Sequence, residues 1–309
     1  MIVKPSEMKF EGKKLFIIVA GVPGIGKTTL ALSAPKPLLI DLDKGVDRVE
    51  TRYRTDTDVV SSYEELKNDL EKADLSPYET IVIDTGGKLL EMLKPVVIAR
   101  DQKNAQTNGE LSLKGYGAVK KMFNEFVTFV KSLNKHLVMV FHATEVADGE
   151  TTKLRIRMEG KSRDEVWDSV DIGGFMEMRG NKRTIGFSNC DRYYAKGTHG
   201  IHGVYDIPTL ANGNNNTFLT ELINNVINDL TSENKEFTEY QELMRTLLPH
   251  ITNADNAKLL NKAYDEVKKA EHKLTSKNEL WNALNERAKA LGLVYDKDRN
   301  VFDNAKPTK

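Results

Sequence analysis

The sequence predicts an α/β fold with a mostly parallel sheet, followed by a small all-α domain in the C-terminal part of the chain. Up to about residue 208, short apolar runs alternate with helical stretches, a pattern typical of βαβ units. The following run, LANGNNNT, is too rich in Asn and Gly for regular structure. Beyond it the apolar residues follow a helical period. We therefore predict an α/β domain over residues 1–208, a linker over 209–217 and a helical domain over 218–309.

Four apolar runs predict the central strands, and the segments between them predict helices. The strands are expected at Leu15–Ala20, Pro37–Asp41, Thr80–Asp84 and His136–His142. The helices are expected at Lys27–Ser33, Ser62–Ala73, Lys88–Arg100 and Tyr116–Leu133, the second opening with a Ser62-x-x-Glu65 capping box. The polar stretch from 101 to 115 predicts a surface loop. Alternating runs between residues 153 and 206 predict later strands of the same sheet, some of them antiparallel.

Beyond the linker, the apolar spacing predicts a small helical bundle. Its helices are expected at Phe218–Leu230, Glu239–Leu248, Asn256–Ala270 and Lys277–Leu291. The last helix carries a Ser276-x-x-Glu279 capping box and ends before Gly292. One apolar stripe on it consists of Leu280, Trp281, Leu284, Ala288 and Leu291. The stripe indicates the core of the bundle, with a groove for a partner as the alternative.

The composition fits a globular protein and excludes several classes. Of the 309 residues, 39% are hydrophobic and 29% are charged, which is ample material for a core. The formal net charge is zero, so binding to nucleic acid would depend on local basic patches. Cys190 is the only cysteine, which excludes an internal disulfide. No apolar run reaches the length of a membrane span, so we expect no membrane association and a cytoplasmic location.

Between the first strand and the first helix lies the phosphate-binding pattern G-x-x-x-x-G-K-[ST]. In GVPGIGKTT it is met by Gly21, Gly26, Lys27 and Thr28. The glycines let successive backbone N–H groups face a phosphate chain, Lys27 would place a cation on the β- and γ-phosphates, and the Thr28 hydroxyl would hold Mg²⁺. The predicted nucleotide-binding residues are Gly21, Pro23, Gly24, Ile25, Gly26, Lys27, Thr28 and Thr29.

Acidic residues end two further predicted strands. TIVIDT supplies Asp84, which can hold a Mg²⁺-bound water beside the phosphate loop because parallel strands bring their C-terminal ends to one edge. Thr28 and Asp84 are therefore the predicted metal residues. LLIDLDKG supplies Asp41 and Asp43, which cannot both be buried without partners. We predict that Asp43 acts as the base toward an attacking water and that Asp41 caps the turn.

The fourth strand, HLVMVFHATE, ends with His142, Thr144 and Glu145. A polar side chain at this position could touch the γ-phosphate and report its loss. A surface histidine at a strand end is the alternative interpretation.

These features, taken in order, resemble the RecA-type recombinase core. They are more similar to phage-encoded, RecA-like single-domain ATPases, the AAA-domain phage nucleotide-binding proteins, some of which act in single-strand annealing recombination. The resemblance covers about residues 12–208 and implies a RecA-like P-loop NTPase core that binds ATP and Mg²⁺. RecA-like proteins have a catalytic glutamate where this chain has Asp43, and a γ-phosphate-sensing glutamine where it has His142. Later segments also resemble the phage family through Gly160, Lys161, Asp171, Ala195, Lys196 and Gly200.

Two groups of basic residues suggest further roles. In oligomeric ATPases, a cation from one subunit often reaches the γ-phosphate of its neighbour. We predict Lys196 for this role, with Arg155 and Arg157 as competitors and a solvated surface cation as the alternative. A second group could contact single-stranded DNA through phosphates and base stacking, although a charged helix surface accounts for it equally well. This group consists of Lys103, Lys114, Tyr116, Lys120 and Lys121.

The leading functional hypothesis is a phage ATPase that assembles as a homo-oligomer on single-stranded DNA. It would act in recombination, annealing or replication in the bacterial host cytoplasm, with a phage recombination or single-strand-binding protein as a possible partner. Its catalytic residues would be Lys27, Asp43, Asp84, His142 and Lys196. The alternatives are a helicase loader or other AAA-type remodeller, and a non-hydrolysing module that binds DNA or protein in a nucleotide-dependent way.

Overall fold

The chain forms two compact units. The computed structural model describes residues 3–4, 7–149, 151–158, 166–210 and 214–304. One unit comprises Gly12–Ile227, and the other combines Met1–Glu11 with Asn228–Lys309. No helix within the described ranges has both the length and the apolar character needed to cross a membrane.

The first unit is built on a mostly parallel sheet, as predicted. In the described part of the chain the sheet has nine strands in the order β3-β2-β4-β5-β1-β7-β8-β9, with β6 paired to β5. Neighbours from β3 to β7 are parallel, whereas β6, β8 and β9 pair antiparallel. The strands are β1 (Phe16–Gly21), β2 (Pro37–Asp41), β3 (Thr57–Asp58), β4 (Thr80–Asp84), β5 (His136–Asp148), β6 (Thr151–Ile156), β7 (Ile172–Arg179), β8 (Lys182–Gly186) and β9 (Val204–Asp206).

Helices pack on this sheet and bury its apolar strands. Strand β1 is buried along its whole length, and Phe123 and Phe126 of one helix lie in the same core. The predicted cap at Ser62 is confirmed, because its hydroxyl accepts a hydrogen bond from Glu65 N at 3.1 Å. The helices are α1 (Lys27–Ala31), α2 (Tyr63–Lys72), α3 (Gly86–Arg100) and α4 (Leu113–Ser132).

Two local predictions in this unit need correction. Strand β5 does not end at His142 but continues to Asp148, because β6 takes over its backbone hydrogen bonds where β1 and β4 stop. Helix α4 starts at Leu113, inside the predicted loop, because the Ser112 hydroxyl caps it by accepting from Gly115 N at 3.2 Å.

Among its described residues, the second unit contains most of one long helix, two shorter helices and a hairpin. Its elements are α5 (Phe218–Thr252), α6 (Ala257–Lys269), α7 (Ser276–Ala290), β10 (Leu293–Asp296) and β11 (Val301–Asn304). The two helices predicted between 218 and 248 are thus one, since no Gly or Pro interrupts the polar stretch between them. The hairpin adds two antiparallel strands to a domain that was predicted to be all helical.

The first turns of α5 belong to the sheet-containing unit. Leu219, Ile223 and Val226 are buried, and the Thr220 hydroxyl donates a hydrogen bond to the Ser33 carbonyl at 2.7 Å. These contacts place the division between the units after Ile227, whereas the sequence suggested the 209–217 linker.

Helix α7 supplies the core of the second unit. Leu280, Leu284 and Ala288 are buried in one cluster with Leu260 and Phe302, so the apolar stripe is packed as a core. The N-cap is Thr275 and not Ser276. The sequence therefore placed the cap one residue too late. Ser276 is buried, and its hydroxyl accepts a hydrogen bond from Lys273 N at 3.1 Å.

Candidate nucleotide-binding site

The sheet topology gathers the predicted site residues at one edge. Strand β5 lies between β1 and β4, with Gly21 beside His142 and Val140 beside Asp84. Asp84 in turn pairs with Asp41 on β2. Because these strands are parallel, the segments that follow them leave the sheet on the same side. The phosphate loop, the acids and His142 therefore surround a common space.

The phosphate loop has the backbone conformation that its glycines were expected to provide. Gly24 and Gly26 have φ angles of 78° and 98°, in the left-handed region where a side chain would be strained. Lys27 begins α1 and is buried, with Nζ donating to the Val22 carbonyl at 2.9 Å. Burial lowers the pKa of Lys27, while the nearby carboxylates of Asp84 and Asp43 act to raise it. The loop thus holds a buried cation beside two acids.

Thr28 and Asp84 form the best-defined contact of the site. The Thr28 hydroxyl donates to Asp84 Oδ2 at 2.5 Å. Burial raises the pKa of Asp84, and this hydrogen bond opposes the shift. A hydroxyl and a carboxylate facing one small cavity are hard oxygen ligands of the type that Mg²⁺ uses beside nucleotide phosphates. The two residues therefore fit the predicted metal site.

The two acids after β2 have different surroundings. Asp41 is buried, and its carboxylate accepts hydrogen bonds from Gly45 N at 3.1 Å and Val46 N at 2.9 Å. It therefore caps the turn after the strand. Asp43 is partly exposed, with Oδ2 lying 3.9 Å from Arg48 Nη1. Of the two, Asp43 is the carboxylate that faces the phosphate loop cavity.

His142 lies opposite Asp43 across this cavity. Its Nε2 is 4.0 Å from Asp43 Oδ2, and its buried Nδ1 has no hydrogen-bond partner within the described ranges. Burial lowers the pKa of His142, and the charges of Lys27, Arg157 and Arg48 lower it further against the opposing effect of Asp43. The imidazole is therefore neutral near pH 7 and keeps one N–H donor and one acceptor.

A cavity of about 160 Å³ lies between the loop and these side chains. Its loop side consists of Gly24 and residues 26–29, and the other side includes Asp43, Arg48, Asp84 and His142. A second cavity of about 440 Å³ adjoins it and shares Asp43 and His142. The two shared side chains thus separate the phosphate-binding space from a larger space beside α3 and α4.

Comparison with protein families agrees with this geometry. A family model described as an AAA domain matches residues 13–199, more than half of the chain. The chain belongs to the AAA-domain family. No curated protein matches it. AAA domains are P-loop domains of the NTPase class and typically bind ATP with Mg²⁺, so family membership indicates nucleotide binding and hydrolysis.

The AAA-domain fold does not bring Lys196 to the phosphate loop of its own chain. Lys196 pairs with Gly173, and Gly173 lies beside Ile18, before the end of β1 that leads into the loop. Its Nζ donates to the Trp167 carbonyl at 2.9 Å. Of its competitors, Arg155 stacks on Tyr194, with Cζ 5.0 Å from the ring centroid, and Arg157 lines the larger cavity. A trans role for any of them stays a prediction.

The residues considered for DNA contact lie on or near α4, and several have acidic partners. Lys114 pairs with Asp101 at 2.6 Å, and Lys121 lies 3.9 Å from Glu125. Tyr116 lines the larger cavity, next to the phosphate-binding space. Of the later motifs that resemble the phage family, Gly160 and Lys161 lie outside the described residues.

Two arginines near the phosphate loop were not predicted from the sequence. Arg48 lines the phosphate cavity from the turn after β2. Arg183 of β8 lies beside the loop, where a Cβ added to Gly26 would come within 3.8 Å of its Nε. Neither belongs to a recognisable motif, and Arg183 reaches the loop only through pairing of β7 and β8. A search for basic residues after the acid-bearing strand could have found Arg48, whereas Arg183 carries no such signal.

Proposed function

We propose that this AAA-domain protein is an ATPase that acts on single-stranded DNA in recombination, annealing or replication. The observation that carries the ATPase part is the Thr28–Asp84 contact beside the buried Lys27, because it joins the phosphate loop to the acid that ends β4. The DNA part is supported by the resemblance to phage RecA-like ATPases and by the basic residues near α4.

The proposed reaction is attack of water on the γ-phosphate. Lys27 would neutralise negative charge on the β- and γ-phosphates. Asp43 would orient the water and accept its proton, and His142 would contact the γ-phosphate from across the cavity. Mg²⁺, held through Thr28 and Asp84, would supply charge neutralisation at the phosphates. In a homo-oligomer, Lys196 or another basic residue of a neighbouring subunit would add a further cation.

The test compares ATP turnover with no DNA, with single-stranded DNA and with duplex DNA. We expect turnover that single-stranded DNA stimulates more than duplex DNA does. Asp84→Asn should lower the rate by about 100-fold or more, since it removes a charge beside the metal and phosphates. Asp47→Asn, an exposed acid in the turn after β2, is the matched control and should behave as wild type. Wild-type turnover in Asp84→Asn would show that the acid assignment is wrong.

A non-hydrolysing binding module is the second candidate. It is favoured by the geometry of Asp43, whose carboxylate lies 3.9 Å from Arg48 Nη1 and 4.0 Å from His142 Nε2, both beyond hydrogen-bond distance. In this case Mg·ATP would bind and change the affinity for DNA or protein without turnover under any condition. Stimulation by a protein in place of DNA would instead support the helicase loader or remodeller hypothesis.

A further inference from the structure

The hairpin formed by β7 and β8 extends past the edge of the sheet where the phosphate loop begins. Gly21, the last residue of β1, lies beside Met176. Strand β7 continues beyond this point to Arg179, and β8 returns from Lys182. The tip of the hairpin therefore projects on the side of the sheet edge that carries the nucleotide-binding residues.

Arg183 is the residue of this hairpin that lies against the phosphate loop. An ideal Cβ placed on Gly26 would be 3.8 Å from Arg183 Nε and 4.0 Å from Cζ. The guanidinium thus lies beside Gly26, the residue that immediately precedes Lys27. Strand geometry places the side chain of the adjacent Lys182 on the opposite face of β8.

The charge of Arg183 is not neutralised by the hairpin. Arg179 donates to Glu177 at 2.6 Å, and Lys182 pairs with Asp206 at 2.7 Å. Within the described ranges, Arg183 forms no such ion pair, and its side chain is exposed. A cation that has no carboxylate partner in the described ranges and lies beside a phosphate-binding loop is suited to contact an anion held there.

We propose that Arg183 binds the phosphate chain of the nucleotide within the same subunit. The inference rests on the proposed nucleotide binding and adds a second cation to that of Lys27. A guanidinium presents several N–H donors in one plane and can contact two phosphate oxygens at once, which an ammonium cannot reproduce. The β7–β8 hairpin is thereby part of the nucleotide site.

The test measures binding of Mg·ADP to the full chain by calorimetry, in wild type and in Arg183→Ala, Arg183→Lys and Lys182→Ala. Arg183→Ala should weaken binding by about 10- to 100-fold, the effect of losing a hydrogen bond to a charged group. Arg183→Lys should recover part of the affinity. Lys182→Ala is the matched control from the same hairpin and should bind as wild type does.

A second measurement separates a phosphate contact from a contact with the base. Adenosine is titrated as a competitor of bound ADP, and its inhibition constant should be the same in wild type and Arg183→Ala. An equal loss for adenosine and ADP would overturn the proposal in favour of a base contact. If wild type and Arg183→Ala bound Mg·ADP equally well, the role proposed for Arg183 would be wrong, whereas the proposed nucleotide site would stand. Failure of wild type itself to bind Mg·ADP would overturn the proposed function as well.

Discussion

The two halves of the nucleotide site differ in how firmly their side chains are held. In the phosphate-holding half, Lys27 Nζ donates to the Val22 carbonyl at 2.9 Å, the Thr28 hydroxyl donates to Asp84 at 2.5 Å, and Lys27 and Asp84 are buried. In the proposed hydrolytic half, Asp43 and His142 face each other at 4.0 Å, and about a third of each side chain is exposed. The phosphate-holding half is therefore preorganised in the fold, whereas the side chains of the proposed hydrolytic half are held less tightly.

The largest expected effect concerns the phosphate-holding half. Lys27→Ala removes the buried cation, so we expect affinity for Mg·ATP to fall by about 100-fold or more. Calorimetry measures the affinity, and Lys36→Ala, an exposed lysine paired with Glu79, is the control. If Lys27→Ala bound Mg·ATP as tightly as wild type, the phosphate-holding half would not be the source of the affinity, and the proposed difference between the two halves would be wrong.

The next effect concerns the hydrolytic half. Asp43→Asn removes the proposed base, so single-turnover hydrolysis should slow by about 100-fold. Binding of Mg·ATP should change by only about two- to threefold, because the phosphate loop is intact. Asp47→Asn serves again as the control. A loss of affinity as large as the loss of rate would show that Asp43 holds phosphate and that the two halves are not separate.

Strand β5 offers a third comparison, between the buried His136 at its start and the partly exposed His142 six residues further along. His136 is buried, its Nδ1 accepts from Leu15 N at 3.1 Å, and burial lowers its pKa to about 4. The unfolded chain binds the proton near pH 6.5, so His136 contributes stability above that pH and loses it as the pH falls toward 4. Because of this residue, the free energy of unfolding should fall by about 2 kcal/mol when the pH is lowered from 7 to 5.

Urea unfolding of the wild type and His136→Asn at both pH values measures this contribution. Asn keeps an acceptor for Leu15 N but does not titrate, so the variant should lose less stability on acidification. Its ATP turnover at pH 7 should match wild type at temperatures where both are folded. An equal acid sensitivity in the two proteins would mean that His136 is protonated in the folded chain.

The smallest expected effect concerns recognition of the γ-phosphate. If His142 contacts this group, His142→Ala should reduce the preference for Mg·ATP over Mg·ADP by about tenfold. Thr144→Ala, two residues further along the same face of β5, is the control and should keep the preference. The ratio of the two dissociation constants gives the result. A ratio unchanged in His142→Ala would favour the surface-histidine interpretation.

Local signals in the sequence were strong enough to predict much of the sheet-containing unit, Gly12–Ile227. The strands β2 and β4 have the predicted bounds, and Ser62 caps α2 as expected, because their determinants are neighbours in the chain. The assignment of Asp41 to the turn agrees with its two backbone hydrogen bonds. The extension of β5 was missed because it depends on pairing with β6. The sequence also did not predict that the first turns of α5 belong to the sheet-containing unit, because this too depends on contacts between residues far apart in the chain.

By itself the sequence determined that this chain has a phosphate loop, acid-bearing parallel strands and a helical C-terminal segment. These properties follow from residue types at short spacing, such as glycines at positive φ and apolar runs of strand length. Only the tertiary structure decided that β5 lies between β1 and β4, which sets His142 against Asp43. Only the tertiary structure, too, brought Arg183 beside Gly26 and placed Lys196 away from the loop. The reason is that the order of strands in a sheet and the position of a hairpin depend on contacts between residues far apart in the sequence. No local sequence pattern predicts such contacts.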